Sequence, residues 1–319
     1  MTSALSAPVT GALRKPRALK QGSRLGVFAP ASPGNADRVR KGILELQVLG
    51  FEVQEFRAGP ADGFFASAAD ARYREFSRLA NDASLAGMIA LRGGYGSNYI
   101  LQHLQPAELG TAKCLVGFSD LTSLQIFLWQ RAGWVTFHGP MVAAGFDAGA
   151  DVVDGYDRES FLNATQNSRA GWGIDLRGEA MIPGEAEGRI LGGCMTLLEA
   201  TMGTPWEIDT RDAILVLEDR AMKPYQVDRV LMHLKQAGKL EGVRGVVLGE
   251  FPDCEPPAGT ATVRDVCARI LGELNIPAVF GSPVGHTKRP MLTLPLGVRG
   301  RLSAKNGGRI EILEAAVVE

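Results

Sequence analysis

Ser119, Glu218 and His286 stand where the apolar pattern of the chain breaks abruptly at a residue that can react. In "KCLVGFSDLTSLQIFLWQ", residues 113–130, the run Cys114, Leu115, Val116 reads as a buried strand, and Leu121, Leu124, Phe127 and Leu128 recur at helical spacing. Gly117, Phe118, Ser119 and Asp120 are left to make the turn. A serine on such a turn is exposed, and the next amide lies at the positive end of a helix, where a developing oxyanion is stabilised. The rival reading is an ordinary helix cap by Ser119 or Asp120. In "AILVLED" five apolar residues run into Glu218 and Asp219. A carboxylate at the end of a buried strand needs a partner, either the Nδ1–H of a histidine or backbone amides that close the loop. In "GSPVGHTKRPML", His286 is confined between Pro283 and Pro290. Together the three residues have the chain order Ser, acid, His of an activated serine hydrolase.

A glycine-rich turn, "LRGGYGSNYI", also follows a strand. Its spacing is not G-x-G-x-x-G and no Lys-Ser/Thr pair follows, so a phosphate loop is disfavoured. Gly93 or Gly94 could instead bring a backbone N–H up to a reacting carbonyl as second oxyanion donor beside the Asp120 amide; a plain tight turn is the alternative. Of the other histidines, His103 and His233 fall in helical patterns, while His138 in "TFHGPM" follows a strand and is a rival base.

Elements of two styles must position these groups. From residue 24 to about 146, strands alternate with amphipathic helices, which argues an α/β domain with a parallel sheet covered on both faces. Residues 147–186 are polar and glycine-rich and read as a connector. Residues 187–319 resume as a second α/β domain ending in short antiparallel strands, with Asn306-Gly307 as a hairpin turn. Residues 1–23, mildly basic through Arg14, Lys15, Arg17 and Lys20, lack the apolar core of a secretory signal and read as a flexible tail. A net charge of -1 gives no electrostatic reason to bind nucleic acid, and no apolar run suits a membrane span. Cys114, Cys194, Cys254 and Cys267 are scattered without a CxxC pair, so neither a metal site nor a disulfide framework is expected, and a reducing cytoplasm is the default location.

Taken in order, "GVFAPASP", "MIALRGGYGSNYIL", "LVGFSDLTSLQ", "TFHGPM", "GGCMTLLEATMGTPWEID", "ILVLEDRAMKPYQVDRVLMHLKQAG", "GVVLGEF" and "GSPVGHTKRPMLTLPLG" resemble the LD-carboxypeptidase family of serine peptidases, from about Arg24 to Ala304. The resemblance implies an N-terminal domain similar to class I glutamine amidotransferases and a smaller, swivelling C-terminal domain. It implies hydrolysis without metal or cofactor, with nucleophile Ser119, acid Glu218 and base His286. The implied substrate is a muropeptide tetrapeptide that loses its terminal D-alanine during peptidoglycan recycling, and a homodimer is expected. Arg92 is a candidate for the substrate's terminal carboxylate, or else a structural surface arginine. One departure is Cys194, where many relatives carry asparagine. An alternative within the family is a microcin-immunity-type peptidase that cleaves a peptidyl-nucleotide amide, for which Trp172 could offer an aromatic platform; the connector around Trp172 and Trp206 differs among relatives. A peptide-binding protein without activity is opposed by the intact Ser119, Glu218 and His286.

Overall fold

The computed structural model describes residues 13–55, 59–256 and 259–319. The first half runs β1 (Arg24–Phe28), α1 (Ala36–Val48), β2 (Glu52–Gln54), α2 (Ala69–Asn81), β3 (Gly87–Ala90), α3 (Asn98–Leu101), β4 (Cys114–Gly117), α4 (Leu121–Ala132) and β5 (Thr136–His138). The second runs α5 (Arg158–Gln166), β6 (Trp172–Asp175), β7 (Glu179–Ile182), β8 (Gly184–Cys194), α6 (Met195–Ala200), β9 (Ala213–Glu218), α7 (Pro224–Gln236), β10 (Gly245–Leu248), α8 (Val263–Gly272), β11 (Ala278–Phe280), β12 (Leu294–Leu296), β13 (Arg299–Ala304) and β14 (Arg309–Ile312).

Two sheets form a mixed α/β protein. The first has the order β12-β5-β4-β3-β1-β2 and is parallel except for β12. Its inner strands β3 and β4 are buried at every residue, as continuous apolar runs under helices must be. The second has the order β6-β14-β13-β8-β9-β10-β11-β7, with a parallel centre of β8 to β11 and antiparallel strands on both sides. The turn Lys305 to Gly308 joins β13 to β14, with Asn306 and Gly307 both at positive φ, as a hairpin needs.

Helix α4 lies between the halves. Every residue of it but Arg131 is buried. Leu121, Leu124, Phe127 and Leu128 pack into the core of the first half, whereas Ile126 and Trp129 pack with Leu191, Met195 and Leu198 of the second. The helix that begins at the Ser119 turn is therefore clamped from two sides.

Three expectations about chain organisation meet a different arrangement. Residues 147–186 contain α5 and the strands β6 and β7, which are the two edges of the second sheet. Edge strands are half exposed and carry little apolar signal, so their composition resembles a linker. Strand β12, from deep in the second half, pairs with β5 in the first sheet. In the basic N-terminal stretch, the Arg14 N–H donates to Gly133, the Ala18 N–H to Val318 and the Leu19 N–H to Thr165, and Leu19 is buried. Residues 13–23 are thus packed against both halves, and residues 1–12 lie outside the described residues.

Candidate active site

Strand β4 ends at Gly117, and the chain reaches α4 through Ser119, whose φ is 63°. A left-handed conformation costs an L-residue about 1–2 kcal/mol and is kept where surrounding structure over-determines it. Here the surroundings are close. A Cβ on Gly93 would lie 2.8 Å from Ser119 Cβ and 2.9 Å from its Oγ, so only glycine lets the "RGG" loop approach. The Asp120 N–H, at the first turn of α4, is 3.5 Å from the same point. Asp120 does not cap its own helix. Its buried carboxylate accepts from the Gly96 N–H at 3.2 Å and the Ser97 N–H at 2.7 Å, while Ser97 Oγ donates back to the Asp120 carbonyl. Burial pushes the Asp120 carboxyl above its ordinary range, against the pull of those N–H groups. The side chain thus ties the glycine loop to the serine turn, a role that neither the capping nor the amide-donor reading included.

Glu218 is the last residue of β9 and has no exposed surface. Its Oε2 lies 2.7 Å from His286 Nδ1 and accepts the His286 backbone N–H at 3.0 Å. Gly285 makes this possible: at φ 63° it passes so close that a Cβ would sit 2.2 Å from Glu218 Cδ. Burial opposes charge on both partners, but the attraction between them outweighs it. Glu218 is held below, and His286 raised above, its ordinary pKa. The residues after His286 are fixed by Glu250, which accepts from Thr287 Oγ1, the Lys288 N–H and the Arg289 guanidinium. With Nδ1 committed to the acid, Nε2 is the ring nitrogen left to act as a base.

Ser119 and His286 line the same cavity, of about 690 Å³, with Gly93, Gly94, Arg92, Phe118, Cys194 and Gly285 among its walls. Among the described residues no hydrogen bond joins Ser119 Oγ to His286, which is common before a substrate tightens such a site. Arg38, Arg220 and Lys288 also line the cavity, each paired with a carboxylate: Asp147, Asp253 and Asp154. Arg92 is exposed there, its guanidinium 3.4 Å from the Pro33 carbonyl. Cys194 ends β8 with its N–H on Thr122 Oγ1 of α4 at 3.0 Å and its Sγ 3.5 Å from Asp219 Oδ2. It is therefore both a joint between the halves and part of the cavity wall. Trp172, on the β6 edge, and Trp206 are not among the lining residues, so the aromatic platform sought in Trp172 is not at this cavity. Arg38, Lys288 and Glu250 were missed because their local sequence is that of an exposed helix face or an ordinary loop. Only the fold brings Arg38 and Lys288 to the cavity and sets Glu250 behind its wall, on Thr287, Lys288 and Arg289.

Comparison with known proteins shows the family. The LD-carboxypeptidase N-terminal domain model matches residues 25–139 and the C-terminal domain model residues 187–302. A probable murein peptide carboxypeptidase of Bacillus subtilis is 32% identical over 310 residues, covering 96% of each chain. The Microcin C7 self-immunity protein MccF of Escherichia coli is 26% identical, covering 88% of this chain and 90% of its own. The solved structure of a muramoyltetrapeptide carboxypeptidase from Oxalobacter formigenes superposes with a TM-score of 0.81 at 28% identity, over 92% of this chain and 99% of that one. Wild-type apo MccF gives 0.87 at 25% identity, over 95% and 99%. With both domain models in order and a relative matched nearly end to end, the chain belongs to the LD-carboxypeptidase family and is a serine-type carboxypeptidase hydrolase.

Proposed function

We propose that this enzyme releases the terminal D-alanine from peptidoglycan tetrapeptides, in cytoplasmic cell-wall recycling and as a homodimer, by a Ser119–His286–Glu218 triad. The observation that carries the proposal is the 2.7 Å contact of the buried Glu218 carboxylate with His286 Nδ1, beside a serine on a strained turn that faces the same cavity. On this reading His286 Nε2 takes the hydroxyl proton as Ser119 Oγ attacks the carbonyl carbon. The oxyanion receives the N–H of Asp120 and that of Gly93 or Gly94. The tetrahedral intermediate collapses, the C–N bond breaks, and His286 hands its proton to the leaving D-alanine amine. Water, deprotonated by His286, then attacks the acyl-enzyme and returns Ser119 to its starting state. Glu218 keeps the imidazole in the correct tautomer and stabilises its cation.

Arg92 is assigned to the terminal carboxylate of the substrate. Among the described cationic side chains of the cavity wall it is the one with no carboxylate partner in the protein. The test is mass-spectrometric detection of D-alanine released from a free tetrapeptide, with Ser119→Ala as control. Release by the wild type alone is expected. A folded wild type that releases none overturns the murein substrate, and release by Ser119→Ala overturns the nucleophile.

A further inference from the structure

His138 takes no part in the mechanism above, yet the fold delivers it to the acid. It is the last residue of β5, paired with Gly117 of β4 on one side and Leu294 of β12 on the other. Its side chain is wholly buried, and neither ring nitrogen has a hydrogen-bond partner among the described residues. Glu218 Oε1 is likewise buried and unpartnered, since both contacts from His286 go to Oε2. These unsatisfied groups face each other: His138 Nε2 lies 3.9 Å from Glu218 Oε1. Phe118 walls off the other side, its ring edge-on to both His138 and His286.

Each orphaned polar atom in such a place carries an uncompensated desolvation cost, and a plain apolar residue would fill the space without it. The gap is about 1 Å longer than a hydrogen bond and too short to hold a bridging water comfortably, so a small side-chain rotation closes it directly. The titratable groups facing His138 are Glu218 and His286; burial, more than either of these, keeps the His138 ring neutral, with its pKa below the ordinary value.

We propose that His138 is a positioning residue for the acid: its neutral ring donates Nε2–H to Glu218 Oε1 in the working enzyme, so that both oxygens of the carboxylate are held and Oε2 stays aimed at His286. The inference rests on the triad reading given above. It makes the acid a joint product of the two sheets, with its charge supplied by β9 and its second anchor by β5.

His138→Leu and His138→Gln, assayed for D-alanine release beside Ser119→Ala, test it. With the donor gone, the Glu218 charge falls more fully on His286 and stabilises its cation. The acidic limb of kcat/KM in His138→Leu therefore moves to higher pH, kcat falls about 10- to 100-fold, and KM changes little. His138→Gln, which keeps an N–H donor, recovers part of both. A folded His138→Leu with wild-type kcat and an unmoved limb overturns the inference while an inactive Ser119→Ala leaves the triad standing; an active Ser119→Ala overturns the triad itself. Nitrogen-15 NMR of the wild-type imidazoles decides the matter where His138→Leu fails to fold. A neutral Nε2–H tautomer at His138 is the expected signature, and an Nδ1–H tautomer overturns the donor role.

Discussion

The serine turn and the acid–base pair meet in one cavity but are built from different materials. The first sheet makes its contribution from backbone: a left-handed Ser119, glycines that permit contact at Gly93 and Gly94, and amides at the start of α4. The second makes its contribution from side chains: a buried carboxylate, an imidazole and the attraction between them. Strain in a backbone is insensitive to pH and is broken by adding a methyl group. A buried ion pair depends on protonation as well as on its frame. The two regions are thus vulnerable to different perturbations.

The largest expected effect comes from removing the proposed nucleophile. Ser119→Ala should lower kcat on the order of 10⁴- to 10⁶-fold. Ser119→Gly should be as inactive yet melt at a higher temperature than Ser119→Ala, because it releases left-handed strain worth about 1 kcal/mol; equal melting temperatures would show that the turn stores none. Next is Glu218→Gln, for which kcat should fall about 10⁴-fold through the wrong imidazole tautomer. Gly285→Ala should follow, since its methyl group occupies the position of the Glu218 carboxyl. A loss of about 10²-fold in kcat and of about 2–4 kcal/mol in stability by denaturant titration is expected. The smallest effect belongs to Arg92→Ala, with KM for the tetrapeptide raised about 10-fold and kcat retained.

The pH dependence sharpens the contrast. On the proposed mechanism activity needs neutral His286, whose pKa is raised above 6.5, so kcat/KM should fall as pH drops through that raised value. Stability runs the other way. A raised histidine contributes fully below its unfolded pKa and loses that contribution as pH rises through the folded one. Depressed Glu218 contributes above its unfolded value of 4.5 and loses it as pH falls. The melting temperature of the wild type, relative to Glu218→Gln, should therefore decline over the same interval in which activity appears. A difference that stays flat across that interval would mean that the pair is not charged in the resting enzyme.

How much of this was legible in the sequence depends on range. Ser119, Glu218 and His286 could be read because each lies where a local pattern breaks, and strand-to-helix turns and acids at strand ends are short-range signals. The parallel run of the first sheet followed from alternating elements for the same reason. What stayed hidden is what only distant segments create. Nothing near Asp120 announces that its carboxylate serves residues 96 and 97, and nothing near His138 announces Glu218. The strands β6 and β7 escaped because half-exposed edges lack apolar alternation, and the 13–23 segment because Gly133, Val318 and Thr165, the partners of Arg14, Ala18 and Leu19, lie more than a hundred residues away. The helix α4 was recognised by one apolar face, while its second face, against β8 and α6, made it too uniformly apolar to read as a clamp.

The return of β12 to the first sheet also has a consequence for biosynthesis. Strand β5 ends at residue 138 and its outer neighbour begins at 294, so about 155 residues must be made before that edge is covered. At roughly 5–20 residues per second this is on the order of 8–30 s during which an apolar strand edge stays open on the nascent chain. The ribosome finishes the second sheet's parallel centre before the first sheet can close. Folding of the N-terminal half is thereby timed by the synthesis of the C-terminal one.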